Sequence, residues 1–290
     1  MSFAIEPTRI GTRVPPRLRL GDLLVAAGAL RPIDVQRIVA SQRLSSKRFG
    51  EIALEMKLIT QAQLSSALAK QIGYPYVEYG RSQLAHSLAA AYEPFCAYAE
   101  ALRTLRSQLL MRWFGREQRA LAVGSARRDV TCSTLAANLA IVFAQLGEST
   151  LLIDGNLREP QQHRLFGLGA CNGLTDLVGE RCEVEEALQR VESFEKLTLI
   201  PSGATPPNPQ ELLSGSVFAD LLEDLVQAFD VVIVDTPALL DFADAAIVSQ
   251  RAGACILSAR RHVTPTSDLH RSKALLRPTG ATLLGVVLNE

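Results

Sequence analysis

The sequence predicts an α/β fold, in which a parallel sheet is flanked by helices and preceded by a small, mostly helical domain. Two observations carry this prediction. Short apolar runs of strand length alternate with longer stretches of helical periodicity in the later part of the chain, which is typical of a parallel sheet covered on both faces. A tandem repeat with helical spacing occupies the front. The predicted strands are 120–123, 151–154, 197–200, 231–235, 254–258 and 283–288.

Composition argues against several classes of protein. The 290 residues are 48% hydrophobic and include 30 basic and 30 acidic side chains, so zero net charge gives no general attraction to nucleic acid. No run reaches the roughly 18 apolar residues of a membrane span, and the N-terminus lacks a signal-peptide core, which favours the cytoplasm. The five cysteines form no C-x-x-C pair and the four histidines show no metal-ligand spacing, so neither zinc nor disulfides are expected.

Changes in composition divide the chain into four segments. Residues 1–16 contain prolines and arginines without periodicity, which predicts a flexible lead-in. Residues 17–79 contain the repeat and are expected to form the helical domain. Residues 80–92 are expected to be a linker with a short helical piece. The α/β domain is predicted over 93–290.

The stretch 124–138 joins a predicted strand to a predicted helix, which is where a phosphate-binding loop would lie. In the P-loop pattern G-x-x-x-x-G-K-[ST], the glycines let backbone N–H groups close on the phosphates, and the lysine supplies positive charge. Here Ala126 and Thr131 stand at the glycine positions and Cys132 stands at the lysine position. Only Ser133, at the Mg²⁺-ligand position, is kept.

Three further segments follow this loop. DGNLREP (154–160) begins at the last residue of a predicted strand, and VVIVDTP (231–237) contains another predicted strand and the two residues after it. PNP (207–209) lies between them. In combination they resemble the bacterial tyrosine autokinases of polysaccharide biosynthesis, most closely the EpsG type, over a stretch from about Arg19 to the last residue. Asn156 replaces the second aspartate of the family's motif. The resemblance implies a P-loop NTPase-like fold of the MinD/ParA kind.

The resemblance also implies a site for ATP and Mg²⁺ at the carboxyl ends of the strands. In an active kinase, Arg127 or Arg128 would replace the lost lysine, and Asp235 would position the metal or its water. The residues implied are Asp154, Asn156 and Asp235 for catalysis; Ser125, Arg127, Arg128, Thr131, Cys132, Ser133, Thr134 and Asn289 for nucleotide binding; and Ser133, Asp154 and Asp235 for Mg²⁺.

Two hypotheses for the α/β domain stay open. A neutral Cys132 cannot supply the point charge that stabilises transferred phosphoryl oxygens, and Asp129 repels phosphate. We therefore expect weak or absent ATP–Mg binding and a regulatory or scaffold protein, a pseudokinase whose fold is kept for assembly. The alternative is an active ATP-dependent tyrosine autokinase.

The front of the chain contains two similar sequence repeats. Equivalent residues lie 29 positions apart, as for the arginines (48 − 19) and the glutamines (71 − 42). They resemble the N-terminal, MshEN-like domain of type II secretion and type IV pilus ATPases, some of which bind cyclic di-GMP. The resemblance implies a cyclic di-GMP site in which arginines stack on guanine and pair with phosphate; the alternative is a helical docking module. The residues concerned are Arg19, Leu20, Gly21, Leu24, Gly28, Gln42, Arg48, Gly50 and Gln71.

Glu100, Arg103 and Arg106 form an E-x-x-R-x-x-R pattern whose spacing places the charges near one face of a helix. In the kinases that the chain resembles, this helix helps subunits to form a ring, which implies a homo-oligomer; the alternative is a solvated helix surface. The EpsG type accompanies a membrane chain-length determinant. The resemblance therefore implies that partner, a peripheral position at the inner membrane, and a role in exopolysaccharide synthesis or export.

Overall fold

The computed structural model describes residues 19–116 and 118–289. The chain forms two compact units that divide between Tyr74 and Pro75. The predicted lead-in, 1–16, lies outside the described residues, as do the first two residues of the predicted helical domain. Within the described ranges, no helix is long and apolar enough to cross a membrane.

The front unit consists of four helices that reproduce the repeat. Helices α1 (Leu20–Ala26) and α3 (Phe49–Glu55) each have 7 residues and begin 29 positions apart (49 − 20). Helices α2 (Pro32–Gln42) and α4 (Gln61–Ile72) begin at the same offset (61 − 32). Pro32 suits the first turn of α2 because the N–H that it lacks would have no partner there.

Within the front unit, the turn of each repeat contains one residue in the left-handed backbone region. These residues are Gly28, with φ of 70°, and Lys57, with φ of 54°, and they occupy equivalent positions in the repeat. Glycine adopts this conformation without strain, whereas lysine does not. The second repeat therefore keeps the backbone conformation of the turn but has lysine where glycine would fit without strain.

Two glycines allow the helices of the front unit to pack closely. A Cβ atom added to Gly21 would lie 3.1 Å from Val35, and one added to Gly50 would lie 2.8 Å from a methyl group of Leu64. The core around them is formed by buried aliphatic side chains, which are Leu24, Leu30, Ile38, Ile52, Ala53, Ile59, Leu64 and Ala67.

The second unit is built on a seven-stranded sheet. The strands are β1 (Ala120–Ser125), β2 (Thr150–Asp154), β3 (Gln189–Arg190), β4 (Leu197–Ile200), β5 (Val231–Asp235), β6 (Ala254–Arg260) and β7 (Thr282–Asn289). Their order is β3-β4-β2-β5-β1-β6-β7, and all pairs are parallel except β3 with β4. The predicted α/β fold is confirmed, and β3, which the sequence analysis did not predict, is a two-residue addition at one edge.

Helices cover both faces of this sheet and bury two apolar clusters. Helix α7 (Val130–Leu146) is central, and most of its residues are buried because its run of alanine, leucine, isoleucine and phenylalanine is apolar on nearly every side. The helices are α5 (Ala89–Tyr92), α6 (Ala97–Arg112), α7 (Val130–Leu146), α8 (Gln162–Leu165), α9 (Leu174–Val178), α10 (Val184–Ala187), α11 (Pro209–Ser214), α12 (Ser216–Ala228), α13 (Asp244–Ala252) and α14 (Thr266–Leu276).

Residues 75–92 belong to the second unit and pack against α7. The linker expected over 80–92 differs from this arrangement, because Leu84, Leu88 and Tyr92 are buried in one of the two apolar clusters. The Asn138 side chain of α7 also holds the segment, accepting a hydrogen bond from the Ala90 N–H at 2.9 Å. Apolar side chains in a stretch without periodicity thus serve as core here.

Candidate functional site

The carboxyl ends of β1, β2 and β5 border a cavity of about 180 Å³. Ligands of parallel α/β sheets bind at this edge. The strand register brings Asp154 and Asp235 side by side, since they are paired residues at the ends of β2 and β5. The predicted site residues that line the cavity are Ser125, Arg128, Cys132, Ser133 and Asn156.

A carboxylate of the chain itself occupies the N-terminus of α7. Asp129 Oδ1 accepts hydrogen bonds from the backbone N–H of Thr131 at 2.9 Å and from its hydroxyl at 2.8 Å. In a P-loop, the backbone N–H groups and the dipole at this helix end bind phosphate. Asp129 therefore takes one of the donors that a phosphate would use and places a negative charge beside the others.

Cys132 contributes no positive charge to the cavity. Burial raises the pKa of its thiol well above the usual value, and the nearby Asp235 carboxylate raises it further. The thiol is therefore neutral at physiological pH. A neutral thiol cannot replace the lysine of the P-loop pattern.

The two arginines predicted to replace that lysine lie in different places. Arg127 Nε donates to Asp268 Oδ2 at 2.6 Å, and the Arg127 side chain is not part of the cavity wall. Arg128 does line the cavity, but its Nε donates to Glu159 Oε2 at 2.8 Å. Of the two, Arg128 alone faces the cavity, and a carboxylate already pairs with it.

Arg158 also lines the cavity, although the sequence analysis gave it no role in the site. Its Nε donates to the buried Asp244 Oδ2 at 2.6 Å, and its guanidinium lies 4.2 Å from the centre of the Phe242 ring. The contact with the ring is a cation–π interaction. The motif DGNLREP contains this arginine, so its place in the motif was the available signal.

Asp154 is fully buried and serves the loop that follows β2. Its oxygens accept hydrogen bonds from the backbone N–H groups of Asn156, Gln161 and Gln162 at 3.3, 3.1 and 2.9 Å. Burial, together with the neighbouring Asp235, raises the pKa of Asp154 well above the usual value. These contacts make Asp154 a cap for the β2 loop.

Asp235 is also fully buried, and one of its partners is a residue that the sequence analysis missed. Gln162 Nε2 donates to Asp235 Oδ2 at 2.7 Å. Burial raises the pKa of Asp235 to about 6, while the Ser133 hydroxyl and Gln162 oppose that increase. Asp235 Oδ1 has no hydrogen-bond partner among the described residues.

Two of the predicted Mg²⁺ ligands, Asp154 and Asp235, hydrogen-bond to other parts of the chain. Mg²⁺ requires octahedral oxygen ligation and usually completes it with substrate phosphates. Asp154 already accepts three backbone hydrogen bonds, and one oxygen of Asp235 bonds to Gln162, which leaves Asp235 Oδ1 and the Ser133 hydroxyl. The described part of the chain contains no group of three or more His, Cys, Asp or Glu side chains arranged to hold a metal. Asp129 adds a negative charge beside the position that the phosphates of Mg–ATP would occupy.

Three predicted nucleotide-binding residues are not part of the cavity wall. Thr131, Thr134 and Asn289 line a separate groove of about 870 Å³ between α6, α7 and β7. Asn289 Nδ2 donates to Ser258 Oγ at 2.8 Å, which ties β7 to β6. Asn156, by contrast, does reach the cavity, where its Oδ1 accepts from the Glu159 N–H at 3.1 Å. Of the eight predicted nucleotide residues, four thus line the cavity, three line the groove, and Arg127 lines neither.

The charged helix α6 uses its arginines within the subunit. Arg103 bonds to Glu100, with Nε 3.0 Å from Oε2, and to the carbonyl of Pro94. Arg106 Nη1 donates to the carbonyl of Val142 on α7 at 2.6 Å. The Glu100 side chain is 68% exposed, so this residue presents the most accessible charge of the three.

The predicted cyclic di-GMP residues divide between the surface and the core of the front unit. Arg19 and Arg48 are exposed and precede α1 and α3 directly. Gly21, Gly50 and Leu24 are buried. The remaining predicted residues, Leu20, Gly28, Gln42 and Gln71, are partly or fully exposed.

The fold defines the class of protein, an α/β fold of the P-loop ATPase kind. MinD from Pyrococcus horikoshii OT3 shares this fold, with a TM-score of 0.51 and 22% identity over 59% of this chain and 70% of that chain. No protein-family model matches the chain.

Two comparisons are more specific. Tyrosine-protein kinase YwqD of Bacillus subtilis (strain 168) is 36% identical over 209 residues, which cover 72% of this chain and 87% of that protein. The kinase domain of Escherichia coli tyrosine kinase ETK aligns with a TM-score of 0.68 and 31% identity, over 72% of this chain and 81% of that chain. The chain belongs to the bacterial tyrosine-kinase family.

Proposed function

We propose that the protein is a family member that does not transfer phosphate and that acts as a regulatory or scaffold subunit in exopolysaccharide synthesis or export. The observation that carries this proposal is the Asp129 carboxylate bonded to Thr131 at the start of α7, where phosphate binds in an active P-loop. The neutral thiol of Cys132 supports the same conclusion. So does the pairing of the cavity arginines, Arg128 and Arg158, with carboxylates.

Calorimetry with ATP and Mg²⁺ tests the proposal. We expect the wild type not to bind ATP–Mg as tightly as a Kd of about 10 μM, which corresponds to roughly −7 kcal/mol. We also expect no phosphotyrosine on the purified protein. The double variant Asp129→Gly, Cys132→Lys removes the internal carboxylate and restores the lysine, so it should gain binding. Cys182→Lys adds the same charge outside the cavity and should not. Micromolar binding by the wild type, with phosphotyrosine formed, contradicts the proposal.

The active-kinase hypothesis is the alternative, and one observation favours it. Arg128 and Arg158 both line the cavity and could contact phosphate if their carboxylate partners were displaced. Mg²⁺ would then be held by Ser133 and Asp235 and would neutralise charge on the transferred phosphate. In that case wild-type binding in the same calorimetry would be lost in Arg128→Ala.

We also propose that the protein is cytoplasmic and reaches the inner membrane through a membrane chain-length determinant, and that it forms a homo-oligomer. The family resemblance of the E-x-x-R-x-x-R helix supports both parts of this proposal. The exposure of the Glu100 carboxylate on α6 agrees with a surface that another chain could contact.

The front unit is best explained as a helical docking module, because Gly21 and Gly50 serve the packing of its own helices. Cyclic di-GMP remains the second candidate, since the repeat places Arg19 and Arg48 at equivalent, exposed positions with no ion pair among the described residues.

Titration of the full chain with cyclic di-GMP distinguishes these functions. If the ligand binds, Arg19→Ala and Arg48→Ala should each weaken binding by about 1–3 kcal/mol, because each removes a charge-assisted contact. Arg43→Ala removes an exposed arginine of the same unit outside the motif and serves as the control. Absence of binding at high micromolar ligand supports the docking module.

A further inference from the structure

Gln162 joins three segments beneath the cavity. Its backbone N–H donates to Asp154 Oδ2 at 2.9 Å. Its side-chain Nε2 donates to Asp235 Oδ2 at 2.7 Å and to the backbone carbonyl of Ser133 at 3.0 Å. One fully buried residue thus connects the ends of β2 and β5 with the first turn of α7.

Asp235 needs such a partner because a buried carboxylate is costly without a compensating donor or charge. No lysine or arginine of the described ranges forms an ion pair with it, and Asp235 Oδ1 is without a hydrogen bond there. The two N–H bonds of one amide nitrogen therefore point at oxygen atoms of Asp235 and Ser133. Oxygen atoms of this kind are also what a divalent cation would bind.

We propose that the Gln162 carboxamide takes the place of a bound cation at Asp235 and holds this edge of the sheet together without metal. The inference deepens the proposed function and rests on it. If no Mg–nucleotide binds, the buried Asp235 carboxylate still needs a hydrogen-bond donor or a positive charge. Gln162 is then a positioning residue, whose amide fixes Asp235 and the start of α7 in one arrangement.

Thermal unfolding followed by the fluorescence of Trp113 tests this proposal, since the only tryptophan lies in the second unit. Gln162→Met keeps the volume of the side chain but removes the donor, and we expect its unfolding midpoint to fall by about 5–10 °C. Millimolar MgCl₂ or MnCl₂ should restore at least half of that loss. The wild-type midpoint should respond to these salts no more than to NaCl of equal ionic strength.

Gln161→Met is the matched control, because the adjacent side chain makes no hydrogen bond within the described residues, and its midpoint should equal that of the wild type. A double variant, Gln162→Met with Asp235→Asn, covers the case in which the single variant does not fold. Removing the charge removes the need for a cation, so the double variant should regain most of the lost midpoint and should not respond to Mg²⁺.

Three results would overturn the proposal: a wild type that Mg²⁺ stabilises as much as the variant, a Gln162→Met protein that Mg²⁺ does not stabilise, or a double variant as unstable as the single one. No nucleotide is present in these measurements. ATP–Mg binding by the wild type would therefore contradict the proposed function while leaving this test to be decided on its own result.

Discussion

Two arginines line the same cavity, each paired with a carboxylate, but the two pairs differ in their exposure to solvent. In the pair of Arg128 with Glu159, the side chains are 64% and 43% exposed. In the pair of Arg158 with Asp244, they are 29% and 0% exposed, and Phe242 covers the guanidinium. An exposed pair contributes little to stability because water solvates and screens both charges, whereas a buried carboxylate depends on its partner. The comparison indicates that the Arg158 pair supports the fold, whereas the Arg128 pair contributes little to stability.

Replacing Arg158 should give the largest effect. We expect Arg158→Met to lower the free energy of unfolding by about 3–5 kcal/mol, because it leaves the Asp244 carboxylate buried without a partner. Arg128→Met should cost less than about 1 kcal/mol. Urea denaturation followed by Trp113 fluorescence measures both variants in the unit that contains the cavity.

A second pair of variants sharpens this test. Arg158→Met combined with Asp244→Asn removes both charges and should recover part of the lost stability, since no buried charge then remains unpaired. Similar losses for Arg128→Met and Arg158→Met would break the comparison. The exposure of a pair would then be a poor guide to its role at this site.

The main features of the fold could be predicted from the sequence because they depend on local patterns. Apolar runs predicted six of the seven strands, and only the two-residue β3 was missed, since so short a strand has no periodicity of its own. The positions of Asp154 and Asp235 at strand ends were also readable, because the carboxyl ends of parallel strands share one edge.

The contacts that determine the chemistry of the site could not be predicted in the same way. Gln162 reaches Asp235 across 73 positions of sequence, and Arg158 reaches Asp244 across 86. No spacing rule links residues so far apart. The role of Asp129 was only half apparent, since its charge is visible in the sequence but its hydrogen bonds to Thr131 depend on where α7 begins.

The distinction between exposed and internally engaged charges also applies to α6, where it yields a smaller prediction. Arg106 donates to the Val142 carbonyl on α7, so Arg106→Met should lower the free energy of unfolding by about 1–2 kcal/mol. Changing this residue would therefore disturb the fold as well as any surface between subunits. Glu100, which is 68% exposed, is the better probe of assembly.

Glu100→Lys should leave the unfolding free energy within about 1 kcal/mol of the wild type, since the Glu100 carboxylate is largely exposed and Arg103 keeps its hydrogen bond to the Pro94 carbonyl. If α6 forms the interface between subunits, the reversed charge should weaken self-association in sedimentation velocity and reduce co-purification with the membrane chain-length determinant. Glu223→Lys makes the same change on an exposed position of α12 and should alter neither measurement. Normal assembly of Glu100→Lys would mean that this face of α6 is solvated surface. The family's charged pattern would then be kept in this chain for packing, through Arg106, and not for contact with a second subunit.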